Sequence, residues 1–81
     1  MPNNHFILHG TANCHLCMEA ISLIQLANAD LHLSVIDIIE DGDLYTQYEF
    51  TIPVLKSSLT GAELNWPFSL DALRLFLSAN Q

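Results

Sequence analysis

The hydrophobic pattern of this 81-residue chain predicts an α/β fold in the order β-α-β-α-β-β-α, a four-stranded mixed sheet flanked by helices. Three observations carry that expectation. Apolar runs at 5–9 and 31–38 are short enough for strands and are followed by turn formers, Gly10 and Asp41-Gly42-Asp43. Between them, and again near the C-terminus, apolar residues recur at helical spacing. Finally, Val54-Leu55-Lys56 starts behind a proline, and a cluster of turn residues separates it from a fourth short run.

Each element has its own local reason. His5-Phe6-Ile7-Leu8-His9 reads as a strand buried on both faces and stopped by Gly10, with 10–13 as a loop. From His15 to about Asn28, Cys17, Ala20, Ile21, Ile24 and Ala27 form an apolar stripe, while Glu19, Ser22 and Gln25 face outward. Residues 31–38, rich in Leu, Val and Ile, suit a second buried strand. A strand-helix-strand order then implies a parallel pair with a right-handed crossover. Residues 44–48 fit a brief helix capped by Asp41 or Asp43, with Leu44 and Tyr48 one turn apart. Residues 54–56 and 62–64 form a hairpin through a turn at 57–61, and Trp66 and Pro67 end it. Ser69 is a good N-cap, Asp71 suits the positive end of a helix, and Leu70, Leu73, Phe76 and Leu77 make a stripe over 70–79. No internal repeat or linker interrupts the chain, so residues 1–81 are expected to form a single domain.

Composition narrows the function. Hydrophobic residues make up 51% and charged ones 14%, which indicates a well-filled interior rather than a disordered chain. Lys56 and Arg74 are the only cations in a chain of net charge −7, so no basic patch is offered to nucleic acid. No apolar run approaches the ~20 residues of a membrane span. Residues 1–10 lack the basic start and cleavage pattern of a signal peptide, so a cytoplasmic location is expected.

The two cysteines stand as Cys14-His15-Leu16-Cys17 between a strand and a helix. Within one helical turn the first and fourth positions share a face, so the sulfurs can form or break a disulfide. In a reducing compartment such a short loop makes a poor staple, and a reversible redox pair is the expectation. Two other readings stay open at this point: inert buried thiols, and a metal held by both cysteines with His9 or His15. His5 and His9, ~13 Å apart along a strand, cannot share one ion.

With Thr51-Ile52-Pro53-Val54-Leu55 ahead of the hairpin and a terminal helix, the chain resembles the thioredoxin fold in its minimal, glutaredoxin-like form. Cys-His-Leu-Cys together with Asn65-Trp66-Pro67-Phe68 looks, more narrowly, like the small bacterial glutaredoxin-like proteins. That resemblance takes in nearly the whole chain. It implies a thiol-disulfide oxidoreductase in which Cys14, at a helix N-terminus, attacks and Cys17 resolves. It also implies a cis Ile52-Pro53 bond facing the cysteines, with the Ile52 backbone pairing with an extended substrate.

Further roles follow on the same footing. His15 either hydrogen-bonds the Cys14 thiolate or faces solvent, and Trp66 either lines the substrate groove or packs with Phe68 at the helix entry. The family's glutathione-using members carry a basic residue near the first cysteine and a Gly-Gly pair before the last helix. Here Asn13 and Trp66-Pro67 stand in those places, and Asp71 adds repulsion, leaving Ser69 as a remnant of that anion site. The expected partner is therefore a disulfide-containing protein or small thiol, with glutathione disfavoured as reductant. No metal or organic cofactor is required. The alternative is a non-catalytic binding module that uses the cysteines for docking or metal capture. Exposed sheet edges allow a monomer or a weak dimer.

Overall fold

The computed structural model describes residues 5–12 and 14–80. Strand β1 (His5–Gly10) sits inside a sheet of order β2-β1-β3-β4, parallel to β2 (His32–Asp37) and antiparallel to β3 (Val54–Ser57), which in turn pairs with β4 (Glu63–Asn65). The two-residue period of a strand sends Phe6 and Leu8 to one face and His9 to the other. Phe6, Leu8 and Leu55 meet Ala20 and Ile24 of α1 (His15–Ala27), and Phe68, Leu73 and Leu77 at and within α3 (Leu70–Ala79), in the main core. The opposite face carries a smaller core, Val54 with Ile38 and with Tyr48 of α2 (Gly42–Tyr48).

The predicted element order and the mixed four-stranded sheet are those observed. Caps fix the helices as the sequence implies: Ser69 Oγ accepts from the Ala72 N–H at 3.1 Å, and Asp41 Oδ1 accepts from the Asp43 and Leu44 N–H groups. Asp41, not Asp43, is thus the cap of α2, which starts two residues earlier than its apolar pattern suggests.

Three details differ from the sequence expectations. The strand expected over 31–38 is not a fully buried strand: β2 is an edge, and Val35 is exposed. Ile38 has left it for a 3₁₀ turn (Ile38–Glu40), because the Asp37 carboxylate accepts from the Ile39 N–H at 2.9 Å and turns the chain out of the ladder. That turn carries Ile38 into the smaller core, where it is fully buried. β1 is likewise only half-covered at His5 and Ile7, since the short α2 reaches the His9 end. Gly10 belongs to β1, opposite Asp37, and Asn13 of the expected 10–13 loop lies outside the described residues.

Candidate active site

The Cys14-His15-Leu16-Cys17 segment starts α1, and its first cysteine is the helix cap. Cys14 has extended backbone, and its Sγ accepts a hydrogen bond from the Cys17 N–H at 3.2 Å. The two residues are joined by a disulfide, with Cα atoms 5.1 Å apart. Unpaired N–H groups and the helix dipole favour negative charge on a sulfur placed there. The first turn of α1 carries no acidic residue to oppose that effect. The two sulfurs differ in access: Cys17 is 4% exposed, whereas Cys14 is half-buried. Beneath them Gly10 is indispensable to the packing, because a Cβ there would stand 2.7 Å from Cys17 Sγ.

Register brings the other residues to the same end of the sheet. His9 pairs with Val54, so Pro53 lies one step further along, beside Gly10. The Ile52–Pro53 peptide is cis and Pro53 is buried. The Pro53 carbonyl accepts from the Trp66 N–H at 3.1 Å, which ties the end of β4 to this loop. Trp66–Pro67 is a second cis peptide, for which the sequence carries no clear signal. The Trp66 ring meets Phe68 edge-to-face at 5.0 Å and packs against the main core, as a helix-entry contact does.

His15 turns away from the sulfurs. Its Nε2 lies 3.1 Å from Glu19, one turn along α1, and its side chain is exposed. Two cavities flank the segment. One, of about 280 Å³, is bounded by Gly10, Cys14, Cys17, Ile21, Val35 and Asp37. The other, of about 460 Å³, is a groove along α1 that runs from His15 to Leu26 with Trp66 at its side. Met18 borders both.

One cluster escaped the sequence reading. His9 stacks on Tyr48 with ring centres 4.5 Å apart, and its Nδ1 is buried with no hydrogen-bond partner among the described residues. Burial, reinforced by the Lys56 charge, lowers its pKa below 6.5, against smaller opposing pulls from Glu63 and from the Val54 backbone. The Tyr48 hydroxyl donates to Glu63, and burial together with that bond pushes its pKa up to about 12. Strand alternation puts His9 on the sheet face away from Gly10 and Cys17, so it does not join the cysteines. Among the described residues no three His, Cys, Asp or Glu side chains converge as a metal set would require. The available signal was a histidine inside an apolar strand, which spacing alone does not connect to Tyr48.

Comparison with known proteins extends these observations. The family model described as glutaredoxin-like domain (DUF836) matches residues 5–78. Among solved structures, the chain is similar to structural-genomics target protein XcR50 from X. campestris, at 33% identity over 94% of this chain and 99% of that one, with a TM-score of 0.83. It shares its fold with protein Ne2328 from Nitrosomonas europaea, at 24% identity over 94% and 93% of the two chains, TM-score 0.80. Thioredoxin 1 from Thermosipho africanus superimposes with a TM-score of 0.61 at 21% identity, covering 93% of this chain and 96% of that one. No match was found among curated proteins. The sheet order, the helix-capping cysteine pair and these neighbours together define a minimal thioredoxin fold, and the chain belongs to the glutaredoxin-like domain family.

Proposed function

We propose that this protein is a cytoplasmic thiol-disulfide oxidoreductase working by dithiol exchange. The observation that carries the reading is the asymmetry of the pair at the start of α1: a half-accessible Cys14 whose sulfur accepts an N–H bond, and a buried Cys17 one turn behind it. In the reduced protein the Cys14 thiolate attacks a substrate disulfide, forming a Cys14–substrate S–S bond and releasing one substrate thiolate. Cys17 then loses its proton and attacks Cys14 Sγ. The second substrate thiolate leaves, the substrate has gained two electrons, and the Cys14–Cys17 disulfide has formed. A dithiol reductant reverses these steps on the protein.

The other residues act by positioning. Pro53 shapes the site floor beside Gly10. The Ile52 N–H already donates to the Tyr48 carbonyl at 3.1 Å, so the Ile52 carbonyl is the main-chain group left to receive a substrate N–H. The Trp66-Pro67 segment occupies the approach to α3, with a bulky ring and a residue that has no N–H, where glutathione would need close backbone contact. No organic cofactor or metal enters these steps, and glutathione is a poor reductant on this reading.

The deciding experiment is trapping with Cys17→Ser. A stable mixed disulfide between Cys14 and a substrate should accumulate in a cell extract, resolved by added dithiol and visible by mass. If no adduct forms and the Cys14 thiol titrates like an ordinary cysteine, the oxidoreductase reading fails.

A further inference from the structure

The outward side of α1 is unusual for a solvent-facing surface in an acidic chain. Met18 is 64% exposed and Leu26 67% exposed, and with Ser22 and Trp66 they border the groove of about 460 Å³. Among the described residues, Glu19 and its partner His15 are the only ionisable side chains in its lining. The groove begins next to the cysteine site: its lining starts at His15, which directly follows Cys14, and it shares Met18 with the cavity at the disulfide.

We propose that this groove is the docking track for an extended segment of the protein whose disulfide is exchanged: apolar, with a lysine or arginine placed to meet Glu19. The proposal rests on the oxidoreductase reading and names its substrate class. Geometry sets the length. From Cys14 to Leu26 the helix rises ~18 Å, which an extended chain spans in about five residues. Glu19 lies ~7 Å along that track, which puts the cation about two residues from the exchanging cysteine. Charge supports the same occupant: the chain carries −7, and neither Lys56 nor Arg74 borders the groove. Met18 and Leu26 supply apolar contact, and the unbranched thioether of Met18 adapts to differing side chains. A cationic, apolar segment is favoured, and an acidic one is repelled by Glu19.

Trp66 is the only tryptophan in the chain and lines the groove, so its fluorescence reports occupancy. The probe is a synthetic six-residue peptide with serine in place of the exchanging cysteine, arginine two residues later and leucines at the last two positions. Titrated into the oxidised protein, it should give a saturable change in Trp66 emission. Replacing its arginine by glutamate, or its leucines by serines, should each weaken binding about tenfold or more. Leu26→Glu, at an exposed position that folding does not depend on, should weaken the arginine peptide to a similar degree. Glu19→Lys should reverse the preference towards the glutamate peptide.

Equal affinity for the arginine and glutamate peptides, or no effect of Leu26→Glu, overturns the docking proposal. Because the serine peptide cannot exchange, this outcome is independent of redox activity. Turnover of a small disulfide by the unaltered protein is measured alongside. Turnover without selective peptide binding removes the docking track and keeps the oxidoreductase, whereas selective binding without turnover of any disulfide leaves a peptide-binding groove and removes both the exchange chemistry and the substrate role given to the groove.

Discussion

At the residue scale, His9 is the position where stability and pH are most directly linked. Its imidazole is 4% exposed, stacked on Tyr48, and its Nδ1 has no partner among the described residues. Burial, then the Lys56 charge, lowers its pKa from 6.5. The unfolded chain therefore takes up this proton first as pH falls. Stability is full above pH 6.5 and declines below it, down to the folded-state pKa. His9→Phe keeps a ring against Tyr48 while removing both the orphaned nitrogen and the proton. It should stabilise the protein by about 1 kcal/mol at neutral pH, the scale of an unsatisfied buried polar group. The gain should widen as pH drops towards about 5.5. Urea unfolding of both proteins across that range checks it, and identical pH slopes would show that His9 carries no such linkage. Spacing and hydropathy gave no hint of this arrangement, because a ring stack between a strand and a helix nearly forty residues away is a product of topology.

Elements were far more legible than single contacts, and the reason is local. α3 was readable because its cap, its acidic first turn and its apolar stripe agree, each determined within ten residues of sequence. The same agreement yields a prediction: Ser69→Ala removes the acceptor for the Ala72 N–H and should cost about 1 kcal/mol, measured as a fall in the urea midpoint. Ser69→Asp should restore most of that loss, whereas a purely steric role for Ser69 would leave the aspartate variant as unstable as the alanine one. β2 was read less well because burial is decided by neighbours, and nothing in the residues 31–38 says that the strand would lie at the sheet edge. The cysteine pair and Ile52–Pro53 were legible as motifs, and the strand register brings Pro53 to the Gly10 end of the sheet. His9–Val54 pairing sets Pro53 beside Gly10, and only glycine lets Cys17 Sγ approach so closely. The cavity at the disulfide was not legible, since β1, α1 and β2 all wall it, and the groove along α1 depends on Trp66, about forty residues further along the chain.

At the scale of the whole molecule, charge decides which disulfides arrive quickly. Seven net negative charges sit on a body whose radius of gyration is 11.9 Å. Asp37 borders one cavity and Glu19, paired with His15, borders the other, while Lys56 and Arg74 line neither among the described residues. At physiological salt the field is screened within ~8 Å, but at 0.01 M it extends ~30 Å, beyond the molecular surface. Cystamine, a dicationic disulfide, should therefore react with the reduced protein faster at low salt and slow as salt rises. Oxidised glutathione, an anion, should show the opposite trend, and uncharged hydroxyethyl disulfide should change little and so report any general effect of salt on the thiols. Stopped-flow rates for reduced protein against these three compounds, from about 0.01 M to 0.15 M salt, separate the cases. Parallel curves for cystamine and oxidised glutathione would mean that the net acidity does not reach the reacting sulfur, and that the contacts lining the cysteine site alone set the substrate preference.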